Sequence, residues 1–114
     1  MRTISWKDFK GKNHLNLPYS AHIYWRIEYE IFPHPKKQKS IVKVDVKILP
    51  RSWAIEQNRN SHLLMHEYGH YLIGCICALA FQKKINTGMK QPVNNTPEWI
   101  KSIFKETLEE YLKL

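Results

Sequence analysis

The chain has 114 residues, 43% of them hydrophobic and 25% charged, with four Trp, six Tyr and four Phe. That mix excludes a disordered chain, two cysteines exclude a disulfide-stapled scaffold, and the length suits one compact domain spanning 1–114. Eighteen Lys and Arg against ten Asp and Glu give +8, which suits an anionic partner such as nucleic acid, although a solvated basic surface accounts for the same charge.

Residues 1–20 read as irregular, anchored by Trp6 and Phe9 and broken by Gly11 and Pro18. Alternation then begins. Ile23, Trp25, Ile27, Tyr29 and Ile31 fall on one face and Tyr24, Arg26, Glu28 and Glu30 on the other, the pattern of a half-buried strand. Pro33, Pro35 and the basic cluster Lys36, Lys37 and Lys39 predict a turn. A second strand follows, antiparallel to the first. Val42, Val44, Val46 and Ile48 point inward, Lys43, Asp45 and Lys47 point outward, and Pro50 ends it.

Asn60 or Ser61 can cap a long helix that runs to about Lys84, with Lys83 and Lys84 at the negative end of its dipole. Leu64, Tyr68, Tyr71, Leu72, Ile76 and Leu79 carry its helical spacing, and Cys75 and Cys77, two apart, read as small buried hydrophobes. Asn86, Gly88 and the stretch to Pro97 read as a loop. Thr96 then caps a last helix with Pro97 at its first position and Trp99, Ile103, Phe104, Leu108, Tyr111 and Leu112 on its apolar side. The class is therefore α+β: a small antiparallel sheet, a long helix and a C-terminal helix packed behind it. The longest nearly apolar run, Tyr71 to Phe81, is too short to cross a bilayer, which takes about 20 residues. No basic start, apolar run and small-residue cleavage site opens the chain, so no signal peptide is expected in it.

Inside the long helix the chain reads His66-Glu67-Tyr68-Gly69-His70, an H-E-x-x-H pattern. Residues four apart sit one turn apart on the same face, so the two imidazoles can converge on one Zn²⁺. Glu67 projects beside them as a general base, and a metal there makes water acidic enough to lose its proton to that carboxylate near neutral pH. The plain alternative is a solvated amphipathic helix with two surface histidines around a surface glutamate. Gly69 within the helix suggests close approach of another backbone, such as a strand over the site.

The third ligand stays open. The longer H-E-x-x-H-x-x-G-x-x-H pattern fails, because Ile73 and Ile76 stand at its Gly and His positions. His62 shares a face with His66 but lies about 12 Å along the axis from His70. Glu98, Glu106, Glu109 and Glu110 on the last helix, and His14, His22 and His34, are the remaining candidates.

Several motifs in order resemble a known family. Ser5-Trp6-Lys7-Asp8-Phe9-Lys10-Gly11 is similar to an S/T-W-x-D-F-x-G opening, and Tyr19-Ser20-Ala21-His22 leads into the first strand. Lys47-Ile48-Leu49-Pro50-Arg51-Ser52-Trp53 is similar to a pre-helix S-W element, and Leu63-Leu64-Met65-His66-Glu67-Tyr68-Gly69-His70 to L-L-x-H-E-x-G-H. Together they resemble the bacterial domain-of-unknown-function family described as a predicted secreted zinc-dependent protease. The resemblance implies a zincin-like metallopeptidase with His66 and His70 as zinc ligands, Glu67 as catalytic base, a peptide or protein substrate held extended beside a sheet edge, and a periplasmic or secreted location. In the family the last helix continues into a Y-D-x-x-T-x-H-like segment, which residues up to Leu114 do not contain. The rival readings are a non-catalytic zincin-like module that binds metal or a partner, and a basic nucleic-acid-binding domain.

Overall fold

The computed structural model describes residues 2–14, 16–33, 40–89 and 96–113. The elements are β1 (Ala21–His22), β2 (Trp25–Pro33), β3 (Ser40–Ile48), β4 (Trp53–Ala54), α1 (Ser61–Gly88) and α2 (Pro97–Leu112), with short 3-10 turns at Trp6–Asp8 and Glu56–Asn58. The class is α+β. The strands form two separate antiparallel two-stranded sheets, β1 with β4 and β2 with β3, rather than one. No helix among the described residues is long and apolar enough to cross a membrane.

The chain divides into two compact units. The first comprises Met1–Ile27 and Val46–Cys75, the second Glu28–Asp45 and Ile76–Leu114. In the first unit, Ala21 pairs with Ala54 and His22 with Trp53. Around this two-residue ladder, other bonds do the work that longer strands would. The Ser52 hydroxyl accepts from Tyr24 N–H at 2.8 Å and donates to Tyr24 C=O at 3.2 Å, while Ile55 N–H donates to Ser20 C=O at 2.8 Å. Ser52, Trp53 and Ala54 are fully buried. Gly11 N–H reaches Ser52 C=O at 2.7 Å, and a Cβ at Gly11 would run into the Arg51 carbonyl, so only glycine fits. Asp8 ties down the opening segment, accepting from Ser5 N–H at 2.9 Å and from Arg2 at 2.9 and 3.2 Å. Burial pushes the Asp8 pKa up, but the hydrogen bonds from Arg2 and Ser5 and the charges of Arg2 and Lys10 outweigh it and hold it below the ordinary carboxylate value.

In the second unit, Val42, Phe81, Ile85, Met89 and Ile100 form the core, flanked by Tyr29, Ile31, Val44, Trp99, Ile103 and Phe104. The Tyr29, Phe81 and Phe104 rings meet edge to face or tilted, at 4.9–5.4 Å. Cys77 Sγ approaches Thr107 C=O at 3.9 Å and burial pushes its thiol pKa up. Lys84 pairs with Glu110 at 2.6 Å rather than only facing the helix end.

The second expected strand carries the expected faces, and the first begins at Trp25 rather than Ile23. Val42 and Val46 are buried while Ile41, Lys43, Asp45 and Lys47 are exposed. The turn around Pro35 and the basic cluster Lys36, Lys37 and Lys39 lie outside the described residues, as does His34. Three expectations are corrected. The loop expected from Asn86 starts only after Gly88, because Ile85 and Met89 are buried in the core and the Trp99 ring lies where a Cβ on Gly88 would project. Ile76 and Leu79 are not core residues: they are 60% and 64% exposed, while Tyr71, Cys75 and Cys77 are buried as expected and Ala78, Phe81 and Ile85 complete the buried face. Gly69 admits no close backbone, since a Cβ there meets nothing within 4 Å; close approach occurs at Gly74, where Trp25 ring carbons would lie 2.8 Å away.

Candidate metal centre

Asn60 starts α1 by accepting from Leu63 N–H at 2.8 Å on its side-chain oxygen, an N-cap that fixes the first turn two residues before His62. One and two turns further on, His66 and His70 stack on the same exposed strip of the helix. Their rings stand edge to face at 86°, with Nε2 atoms 3.2 Å apart. Glu67, one step round the helix, is only 3% exposed, and its Oε2 is buried with no hydrogen-bond partner among the described residues. A solvated helix face would leave that carboxylate in water. Burial of an unpartnered carboxylate oxygen is costly, and Glu67 Oε2 is left so among the described residues together with Trp53 Nε1 and Arg59 Nε.

His66, Glu67 and His70 are the group among the described residues whose metal-ligating atoms gather, all within 4.8 Å of one another. Two nitrogens bound to one tetrahedral zinc at about 2.0–2.1 Å would lie about 3.3 Å apart. The observed 3.2 Å, within hydrogen-bonding distance of the two rings, matches that separation.

The three side chains open onto a cavity of about 530 Å³, whose other wall is the segment Tyr19 to Trp25. The wall is held firmly. The β1–β4 pairing positions Ala21 and His22, and Asn58 Nδ2 donates to Ser20 Oγ at 2.9 Å. Rings run along it in sequence: the Arg51 guanidinium sits 4.3 Å from the Tyr24 centroid, Tyr24 4.1 Å from His22, His22 5.6 Å from Tyr19, and Tyr19 5.9 Å from Trp53.

Comparison of the chain with protein-family models, with curated proteins and with solved structures finds no match. The family resemblance thus rests on its sequence motifs, and the candidate centre rests on its geometry.

The other ligand candidates are placed as follows. His22 lines the cavity without joining the cluster, its ring packed between Tyr19 and Tyr24. His14 lies against the Trp53 ring at 5.3 Å, and His62 is exposed on the first turn of α1. Glu98, Glu106, Glu109 and Glu110 are exposed on α2, with Glu110 engaged by Lys84. Sequence reasoning named Tyr19 to His22, Ile23 and Trp25 singly but not as one wall, because the short β1–β4 pairing that positions Ala21 and His22 has no periodic signal.

Proposed function

We propose that this chain is a zinc-dependent peptidase that hydrolyses peptide bonds, with His66 and His70 holding the metal and Glu67 as general base. The observation that carries the reading is the pair of imidazole nitrogens 3.2 Å apart beside a buried carboxylate with an unpartnered oxygen. The motif spacing, the α+β class and the resemblance to the predicted secreted zinc-dependent protease family support it.

Zinc, when bound, supplies Lewis acidity that lowers the pKa of water toward neutrality and polarises a carbonyl. The protein's part is positional and basic. His66 and His70 would hold the ion through Nε2, one helical turn fixing their separation. Glu67 takes the proton of the attacking water on its carboxylate, which α1 holds next to the two imidazoles. The cavity wall from Tyr19 to Trp25 shelters the reacting bond and gives an extended peptide a surface to lie against.

The test combines metal content and turnover in the same samples. Wild type should carry about one Zn²⁺, and His66→Ala and His70→Ala should each abolish tight binding. Glu67→Gln should keep zinc and fold stability while hydrolysis of an unstructured peptide mixture, read by mass spectrometry, falls 10²–10⁴-fold. Equal zinc in wild type and both histidine variants would overturn the assignment. Zinc retained with no cleavage of any peptide would favour the non-catalytic, metal-binding reading.

A further inference from the structure

We infer that the cavity beside His66, Glu67 and His70 seats one large apolar side chain of the peptide, aromatic by preference, and that Tyr19 and Ile73 select it. This deepens the peptidase reading above and rests on it.

The lining carries the argument. Apart from the helix triad, Ser20 and His22, the cavity is bounded by Tyr19, Ala21, Ile23, Trp25, Leu63 and Ile73. Glu67, already assigned as the base, is the sole Asp, Glu, Lys or Arg on the lining. Away from the helix triad the lining offers an entering charged side chain no countercharge for the water it sheds, whereas an apolar one would cover exposed apolar surface. The volume, about 530 Å³, lies in the range of side-chain and small-ligand pockets and accepts a phenyl or indole group with room for the backbone.

Two lining residues expose large apolar area that an incoming side chain would cover. Tyr19 is 42% exposed and Ile73 48%. Tyr19 is nonetheless held, stacked on the fully buried Trp53 with ring planes 22° apart and tilted against His22. Binding against it therefore orders little that is not already ordered. Ile73 lies three residues past His70 on α1, next to the reacting group on the same helix surface. Offset or edge contact with the Tyr19 ring gives aromatic side chains an advantage beyond their area.

The experiment has a binding arm and a cleavage arm. Peptides of the form acetyl-Ala-Xaa-Ala-amide, with Xaa Phe, Leu, Ala, Glu or Lys, are titrated into the metal-free Glu67→Gln protein, so that a Glu side chain cannot bind by ligating zinc. Binding is read by methyl NMR at Leu63 and Ile73 and by Trp25 fluorescence. Phe should bind about 10- to 100-fold more tightly than Ala, with Leu between and Glu and Lys weakest. Tyr19→Ser should erase most of the preference for Phe over Leu, and Ile73→Lys should move Glu above Phe. Both variants should keep wild-type zinc content, and Ile73→Lys also the wild-type melting temperature, since Ile73 is substantially exposed. Zinc-loaded wild type should cut a peptide mixture beside large apolar residues.

A spread below threefold across the five peptides, tightest binding of a charged one, or indifference to both substitutions would overturn the seat. Cleavage without side-chain preference overturns it too and leaves the peptidase reading standing. The predicted binding order with no cleavage by the zinc-loaded protein supports the seat and defeats the peptidase reading.

Discussion

At Gly11 and Gly69 the same substitution should have opposite signs. A Cβ at Gly11 would collide with the Arg51 carbonyl, a backbone group that cannot rotate away. Gly11→Ala should therefore cost about 1–3 kcal/mol through forced displacement of the β4 approach. At Gly69 the added methyl meets nothing within 4 Å, and alanine is the better helix former by up to about 1 kcal/mol. Gly69→Ala should raise the melting temperature and leave zinc content unchanged, and paired thermal melts of the two variants check both signs. Asp8 gives the residue-scale pH prediction. Its pKa is lower in the folded chain than its ordinary value of 3.8, so its stabilisation is whole well above that pH and is lost as pH falls through the folded value. Asp8→Asn should lower the melting temperature by about 2–5 °C at neutral pH, and the gap to wild type should narrow progressively as melts are taken at more acid pH, below the ordinary carboxylate value. A gap that persists unchanged in acid would contradict the role given to the ionised carboxylate.

At the element scale, α1 and α2 both begin with a side chain that satisfies an orphan N–H. Asn60 accepts from Leu63 at 2.8 Å and Thr96 from Trp99 at 3.1 Å. Asn60→Ala and Thr96→Ala should each cost about 1 kcal/mol in chemical denaturation, and Asn60→Ala should also loosen the turn ahead of His66. These starts were legible because capping is local chemistry, written in two or three adjacent residues. The alternating strands were legible for the same reason: Val42 to Ile48 pack one face on the core whatever the rest of the chain does. The end of α1 was not. Asn86 and Gly88 read as breakers, yet the buried Ile85 and Met89 and the Trp99 ring over Gly88 carry the helix on, a tertiary effect that local preference does not contain. The apolar residues of α1 lie almost all round the helix, so periodicity could not tell the buried Phe81 from the exposed Leu79.

For the molecule as a whole, the H-E-x-x-H pair and its glutamate were readable because one helical turn dictates their geometry. The cavity they face was not, since it depends on a two-residue ladder between segments some 30 residues apart. The charge is shared unevenly. The unit containing the candidate centre has 8 Lys and Arg against 3 Asp and Glu, and the other has 10 against 7. The exposed pair Ile76 and Leu79, three residues apart on α1, has a colloidal consequence. At low ionic strength, like charge at +8 keeps copies apart. Salt shortens the reach of that repulsion to about 8 Å at physiological strength and leaves the apolar pair unopposed. Solubility should therefore fall as sodium chloride rises through 50–500 mM, by static light scattering of the purified chain. Ile76→Lys with Leu79→Glu should flatten that dependence without changing net charge, because it removes the sticky contact and not the repulsion. A chain that stores well in dilute buffer would then be lost in the high-salt wash chosen to clean it.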